Sequence, residues 1–231
     1  MGLKKIVVLT GAGISAESGL KTFRDTGGLW EGHDVMEVAS IDGWRRNPEL
    51  VLDFYNQRRK QAKDAQPNLG HLAIASLEQD YDVTVVTQNV DDLHEKAGST
   101  HVIHLHGSLF QSKSSIDDSI IYDMQGLEIK MGDKCERGSQ LRPNIVWFGE
   151  MVPMMEVAAN YASSSDIFMV VGTSLAVYPA ASLIDFVRPE TPRYIIDPKI
   201  PEIYLGDHFH VIEAVASVGV SQAIEHLKAN Q

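Results

Sequence analysis

Apolar residues along this chain fall in short runs, and between the runs the spacing is helical. Ile6–Leu9, Val83–Thr87, Val102–His104, Ile145–Trp147, Ile167–Val171, Tyr194–Ile196 and Val211–Ile212 are too short for helices, and their mostly β-branched, apolar character predicts buried strands. Pro48–Ala62, Leu69–Gln79, Val90–Ala97, Ala180–Val187 and Val220–Ala229 carry helical patterns. Strands that are apolar on both faces and joined by helices predict an α/β fold with a doubly wound parallel sheet. Two stretches break the rhythm: Thr26–Pro67 is helix-rich, and Ser108–Pro143 is polar with scattered glycines. The expected division is a main unit from 1–25, 68–107 and 144–231, with a smaller lobe from the insertions 26–67 and 108–143.

Within the first insertion, Asn47-Pro48-Glu49 reads as a helix start: a cap, a proline at the first turn and an acid at the positive end. Val51, Tyr55 and Arg58 then share one face, three and four residues apart. An arginine there either lays its stem along apolar neighbours or points into a pocket beside the tyrosine hydroxyl. Within the second insertion, Ile120-Ile121-Tyr122 and the alternating Leu127, Ile129 and Met131 predict paired strands around Met124-Gln125-Gly126.

Composition narrows the possibilities. The 231 residues are 44% hydrophobic, enough for a sizeable core, and the formal net charge is −11 with no basic tract, which argues against nucleic acid as a partner. An acidic surface suits lysine-bearing protein segments but also simply confers solubility. Cys135 is the only cysteine, no apolar run approaches the ~20 residues of a membrane helix, and the first strand begins close to Met1. The expectation is a cytoplasmic protein, monomeric and not attached to a membrane.

Candidate chemistry collects after the strands. Ile6–Leu9 runs into Thr10-Gly11-Ala12-Gly13, a strand, glycine turn and helix start that either presents N–H groups to a phosphate or is only a tight turn. The following Gly19 does not fit the GxGxxG fingerprint. Thr87-Gln88-Asn89-Val90-Asp91-Asp92-Leu93-His94 puts polar groups at the end of a strand, where open α/β sheets bind ligands. A helix cap would account for one of them. His104 and His106 in HVIHLHG fall on one side of an extended segment, yet no third metal ligand accompanies them.

These strings together, GAGISAESGLKTFRDTGGLW, TQNVDDLH, HVIHLHG and RPNIVWFGE, resemble the sirtuins, NAD-dependent protein deacylases. The resemblance runs from about Ile6 to Ala216 and implies a Rossmann-like sheet with a small lobe, and an active cleft between them. It implies NAD contacts from Gly11, Ala12, Gly13, Ser15, Glu17, Ser18, Thr22, Phe23, Arg24 and Trp30, then from Gln88, Asn89, Val90 and Asp91. Gln88 and Asn89 would hold the nicotinamide ribose and Asp91 the carboxamide. Gly172, Thr173 and Ser174 would face the phosphate and ribose side, and Ala216 the adenine. Asp197 stands where the family usually has an asparagine near the adenosine ribose. Of these residues Asn89, Asp91 and His106 would be catalytic, His106 as the general base and His104 structural. Val146, Phe148, Gly149 and Glu150 would form the groove for an acylated lysine segment, and Tyr55 with Arg58 matches a Tyr-x-x-Arg pair that binds succinyl and malonyl carboxylates.

One region departs from the family. Sirtuins carry two C-x-x-C pairs around a structural zinc, but Ser112–Asp117 and Cys135–Gly138 stand in their place here. A single thiolate cannot hold a tetrahedral structural site, so no zinc is expected. Two other classes use the same residues: an ADP-ribosyltransferase or NAD glycohydrolase, and a non-catalytic NAD or ADP-ribose binding module.

Overall fold

A computed structural model of the protein describes residues 2–21, 29–30, 32–201 and 206–229. In chain order its strands are β1 Lys5–Thr10, β2 Leu29–Trp30, β3 His33–Asp34, β4 Asp82–Thr87, β5 Val102–His104, β6 Gly107–Ser114, β7 Ile121–Asp123, β8 Leu141–Ile145, β9 Ile167–Val171, β10 Arg193–Ile196 and β11 Phe209–Ile212. Its α-helices are α1 Ala12–Ala16, α2 Val35–Val38, α3 Ile41–Arg46, α4 Pro48–Asp64, α5 Leu69–Ser76, α6 Leu93–Ala97, α7 Met155–Ser164 and α8 Ala216–Ala229.

The apolar runs build one parallel sheet in the order β11-β10-β9-β1-β4-β5. Alternate residues of β1 serve opposite cores: Ile6 and Val8 pack with α5 and α8 residues such as Ile74 and Val220, whereas Val7 and Leu9 pack with Ala158 and Leu183 on the other side. That two-sided burial is why these strands read as continuous apolar runs rather than alternating ones. From β1 the chain moves outward to β4 on one side, and β9 pairs on the other. The carboxyl end of β1 is therefore a topological switch point, the place where such sheets bind ligands. Among the described residues no helix is long and apolar enough to cross a membrane.

Several elements differ from the sequence reading. Ile145 ends β8, which pairs antiparallel with β6 in a separate three-stranded sheet β7-β6-β8, so Ile145–Trp147 is not a strand of the main sheet. β7 pairs with β6 and not with 127–131. Leu127 and Ile129 instead give backbone groups to α4 side chains, which leaves them no strand partner. Ala180–Phe186 is a 3-10 turn, the helix from Leu69 ends at Ser76 before a 3-10 turn Leu77–Gln79, and α6 begins only at Leu93. α7 has no counterpart in the sequence reading.

α4 starts as its sequence dictates. Asn47 Oδ1 accepts from Leu50 N at 3.1 Å, with Pro48 in the first turn. Its inner face buries Val51, Phe54 and Tyr55 in the core of the small lobe with Leu109, Ile145 and Trp147. A second face clasps the second insertion. Asn56 exchanges hydrogen bonds with the backbone of Ile129, at 3.0 and 2.9 Å. The fully buried Arg59 donates to Leu109 O at 2.6 Å, Leu127 O at 3.2 Å and Asn56 Oδ1 at 2.6 Å. Replacing Arg59 by methionine keeps the bulk but orphans the buried Leu109 carbonyl and the part-buried Leu127 carbonyl. Arg59→Met should therefore cost about 2–4 kcal/mol, read as a melting temperature lower by several degrees. An unchanged melting curve would show that the lobe does not depend on this clasp.

Candidate functional site

Four strand ends converge at the switch point. β1 gives way to Gly11 and α1, β4 to Gln88–Asp91, β9 to Gly172–Ser174 and β10 to Asp197. The first and third turns touch backbone to backbone: Gly13 N donates to Gly172 O at 2.8 Å and Gly11 N to Val171 O at 3.0 Å. A Cβ on Gly13 would lie 2.7 Å from Gly172 Cα, and one on Gly11 2.6 Å from Thr173 Cβ. At these two positions a side chain is excluded because two turns of the protein meet here.

The polar residues form one net. Ser15, buried on α1, donates to Asp91 Oδ2 at 3.0 Å and accepts from Asn89 Nδ2 at 3.0 Å, while Asn89 Nδ2 also reaches Gly11 O at 3.1 Å. Asp91 Oδ1 accepts from Leu93 N at 3.2 Å. Burial raises the Asp91 pKa, and the two hydrogen bonds oppose that shift. Gln88 Nε2 donates to Thr173 Oγ1 at 3.1 Å, tying the β4 end to the β9 end. Val90 O accepts from Leu109 N at 2.8 Å, so this segment also anchors the small lobe.

The histidines separate by environment. His106 Nδ1 lies 3.0 Å from Gln88 O, a carbonyl that can only accept, so the ring hydrogen is on Nδ1 and Nε2 is bare. Burial lowers its pKa despite the Gln88 bond, which keeps Nε2 basic but unprotonated. His104 is held at both nitrogens, by Asn89 O at 3.1 Å and by Glu95 Oε1 at 2.7 Å. Burial alone would lower its pKa, but the Glu95 carboxylate outweighs that and raises it. This is the structural role expected for it.

Other expected residues fare differently. The Glu17 carboxylate caps the start of α8, accepting from Ser217 N at 3.0 Å and from the Ser217 hydroxyl. Ser18 Oγ accepts from Asn68 Nδ2 at 3.0 Å. Asn68, which the sequence reading missed, also donates to Ile14 O at 2.7 Å and caps α5 through Gly70 N at 2.9 Å. The signal was an asparagine just before a helix. Ala12 lies in the first turn of α1, Ser174 is half-buried, and Ala216 is buried against Gly70 of α5. Asp197 is buried, with Oδ1 accepting from Lys199 N at 2.8 Å. Thr22, Phe23 and Arg24 lie outside the described residues.

On α4, Tyr55 is fully buried and its oxygen accepts from Trp147 Nε1 at 3.0 Å. Burial pushes its pKa well up, so the phenol keeps its hydrogen. Arg58 is 7% exposed and its guanidinium lies 4.9 Å from the centre of the Trp30 ring, which packs edge-on to Phe54 and Tyr55. Beyond β8, Val146 N donates to His106 O at 2.9 Å, and the exposed Phe148 pairs its backbone with Ala39 and Ile41. Gly149 turns at φ +89°. Glu150 is fully engaged: one oxygen takes the Arg142 guanidinium, which stacks 4.1 Å over Trp147, and the other accepts from Trp147 N at 2.8 Å. Glu150 thereby clamps the turn.

Cys135 Sγ lies 3.1 Å from Ser139 Oγ, itself 2.8 Å from Ser114 Oγ. Among the described residues no group of three or more His, Cys, Asp or Glu could hold a metal ion. At the switch point the donor set suits a dinucleotide: a buried acid for ribose hydroxyls, small residues where an adenine ring would lie, and an amide, hydroxyl and carboxylate net for a second ribose and its base.

The sequence profile of the Sir2 family matches residues 11–179. A relative from Bacteroides thetaiotaomicron, an NAD-dependent protein deacylase, is 51% identical over 225 residues, spanning 95% of this chain and 96% of its own. A crystal structure of a Sir2 homologue–NAD complex is 36% identical with a TM-score of 0.87, covering 99% of this chain and 91% of its own. A structure of Sir2 bound to acetylated peptide is 28% identical with a TM-score of 0.80, covering 98% and 94%.

Proposed function

This chain belongs to the Sir2 family and is an NAD-dependent protein deacylase, and from that premise we propose the part its own residues take and the acyl groups it accepts. Bound NAD supplies an electrophilic ribose carbon and a nicotinamide leaving group. Asn89, Ser15 and Asp91 orient the ribose and carboxamide as one hydrogen-bonded unit, so that little reorganisation remains at the moment of reaction. His106 takes the ribose hydroxyl proton on Nε2, because Nδ1–H is committed to Gln88 O. Thr173 and Asp197 serve the phosphate and adenosine side, as their places at the ends of β9 and β10 suggest. Val146, Phe148 and Gly149 line the acyl-lysine segment's path, with Glu150 holding that turn in shape. The products are nicotinamide, free lysine and O-acyl-ADP-ribose. The net charge of −11 and the absence of a basic tract support action on protein segments without nucleic acid.

The carrying observation is His106, held as the Nδ1–H tautomer in a partly buried site beside the Asn89–Ser15–Asp91 net. A purified-protein assay with acetyl- and succinyl-lysine peptides should release nicotinamide, and His106→Ala should abolish the release. Because the base must be unprotonated and burial lowers its pKa, the acid limb of kcat/KM should lie below the ordinary histidine value of about 6.5, with activity lost as pH falls through that limb. An acid limb above the ordinary value would contradict the assignment.

The acyl preference follows from α4. A carboxylate entering a cleft must be paired and hydrogen-bonded, and a buried guanidinium three residues along the helix from a protonated phenol offers both on one helix face. Removing one partner of a buried charge pair costs about 2–5 kcal/mol, so Arg58→Ala should lower kcat/KM for succinyl-lysine by orders of magnitude and leave acetyl-lysine much less affected. Equal slowing of both would make Arg58 structural.

The small lobe, in our reading, folds without zinc. Hydrogen bonds among Cys135, Ser139 and Ser114 and the Asn56–Arg59 clasp support that view. Protein purified without chelator should contain well under one equivalent of zinc, and a chelator should leave its melting curve in place. Stoichiometric zinc would overturn it.

A further inference from the structure

The Gln88 carbonyl and the Asn89 N–H are two ends of one peptide group. At one end the carbonyl accepts from His106 Nδ1 at 3.0 Å. At the other the N–H donates to Thr87 Oγ1, also at 3.0 Å. Thr87 is opposite Thr10 in the parallel register of β1 and β4, and the Thr10 hydroxyl donates to Thr87 Oγ1 at 2.8 Å. With its one hydrogen so committed, Thr10 Oγ1 can only accept from its third neighbour, His94 Nε2, at 2.9 Å. His94 therefore carries its hydrogen on Nε2, and Nδ1 is an acceptor.

His71, on α5, has the matching arrangement. Its Nδ1 accepts from Asn68 N at 3.4 Å, so its hydrogen is on Nε2. The two rings lie edge to face with centroids 4.9 Å apart, and both residues are almost wholly buried. His71 Nε2 and His94 Nδ1 are the ring nitrogens that have no other hydrogen-bond partner among the described residues. One is a donor and the other an acceptor and they make no direct bond, so the pair is complementary across one buried water. Burial also lowers the His71 pKa to about 4 and the His94 pKa well below its ordinary value, which keeps both rings neutral and this single pattern of donors intact.

We propose that His94, coupled to His71, is a positioning residue for the catalytic base: through Thr10 and Thr87 it fixes the Gln88–Asn89 peptide, whose carbonyl holds His106 with Nε2 bare. The proposal rests on His106 being that base. A hydrogen bond at the N–H end of a peptide also polarises its carbonyl, so the relay strengthens the His106 contact as well as aiming it. Two neutral histidines are costly material for a core that leucine would fill, and local violations of this kind gather behind functional sites.

Four variants test it, each assayed for kcat, for KM of NAD and for melting temperature: Thr10→Val, His94→Leu, His94→Gln and His106→Ala. Small misplacements of a catalytic group are expensive, so Thr10→Val and His94→Leu should lower kcat about tenfold or more while KM for NAD stays within about twofold. His94→Gln, whose amide can still donate to Thr10 Oγ1, should recover most of the loss. Thr10→Val exchanges a hydroxyl for a methyl and decides the matter if His94→Leu fails to fold. Wild-type kcat in Thr10→Val, or equal impairment in His94→Gln and His94→Leu, would overturn the relay and leave His106 untouched. Full activity in His106→Ala would overturn the base assignment itself.

Discussion

The contact on which the rest depends is the meeting of two turns at the ends of β1 and β9. Gly13 N reaches Gly172 O at 2.8 Å, and a Cβ on Gly172, at φ +63°, would fall 2.4 Å from Ile14 N. Any side chain at these positions would force the two strand ends apart. Because they are close, α1 leaves β1 at an angle that brings Ser15 within hydrogen-bond reach of both Asn89 and Asp91. Gln88 likewise reaches across from β4 to Thr173. The polar net at the switch point is thus a consequence of backbone packing, with side chains added to a frame that glycine makes possible.

Much of this was legible in the sequence, and the physical reason differs from element to element. β1, β4 and β9 are buried on both faces, so their composition announces them without any context. The start of α4 was equally plain, since asparagine, proline and glutamate each answer a need of the first turn. β8 was misplaced because a short apolar run says that a strand is buried and nothing about which sheet buries it. The 127–131 segment alternates like a strand, yet its backbone is satisfied by Asn56 and Arg59, partners remote in sequence that no local pattern encodes. At the site, residue types were readable but their division of labour was not. Glu17 and Glu150 each hold a backbone N–H, that of Ser217 and that of Trp147, because a carboxylate's partners are set by the fold around it.

The small lobe shows how one helix can do two jobs. Around α4, Tyr55 and Arg58 face the cluster of Trp30, Phe54 and Trp147, while Asn56 and Arg59 hold the backbone of the second insertion. Adjacent arginines thereby acquire opposite duties. Arg59 is spent on carbonyls, and burial lowers its pKa to about 10 without a carboxylate to support the charge. A guanidinium suits this use because its fork of donors can address several carbonyls at once and still remain protonated. The clasp joins the insertion to the helix, so the same bonds that order the lobe also set the position of Tyr55 and Arg58.

Five histidines near the site show how environment assigns roles to one residue type. His104, with Glu95 on one nitrogen, is pushed toward the charged form and becomes a strut. His71 and His94 have no carboxylate bound to either ring, lie in apolar surroundings and are pushed toward the neutral form. His106 lies between these extremes, less buried than the pair and bonded to a carbonyl rather than a carboxylate. A carbonyl fixes the tautomer without donating a full negative charge, so the ring is oriented and its pKa is not raised past the working range. A fifth ring, His101, bonds Thr84, three residues back along β4 from Thr87. Among these five, His106 is thus distinguished by what holds its second nitrogen: a backbone carbonyl, on a peptide whose N–H end leads through Thr87 and Thr10 to the buried pair.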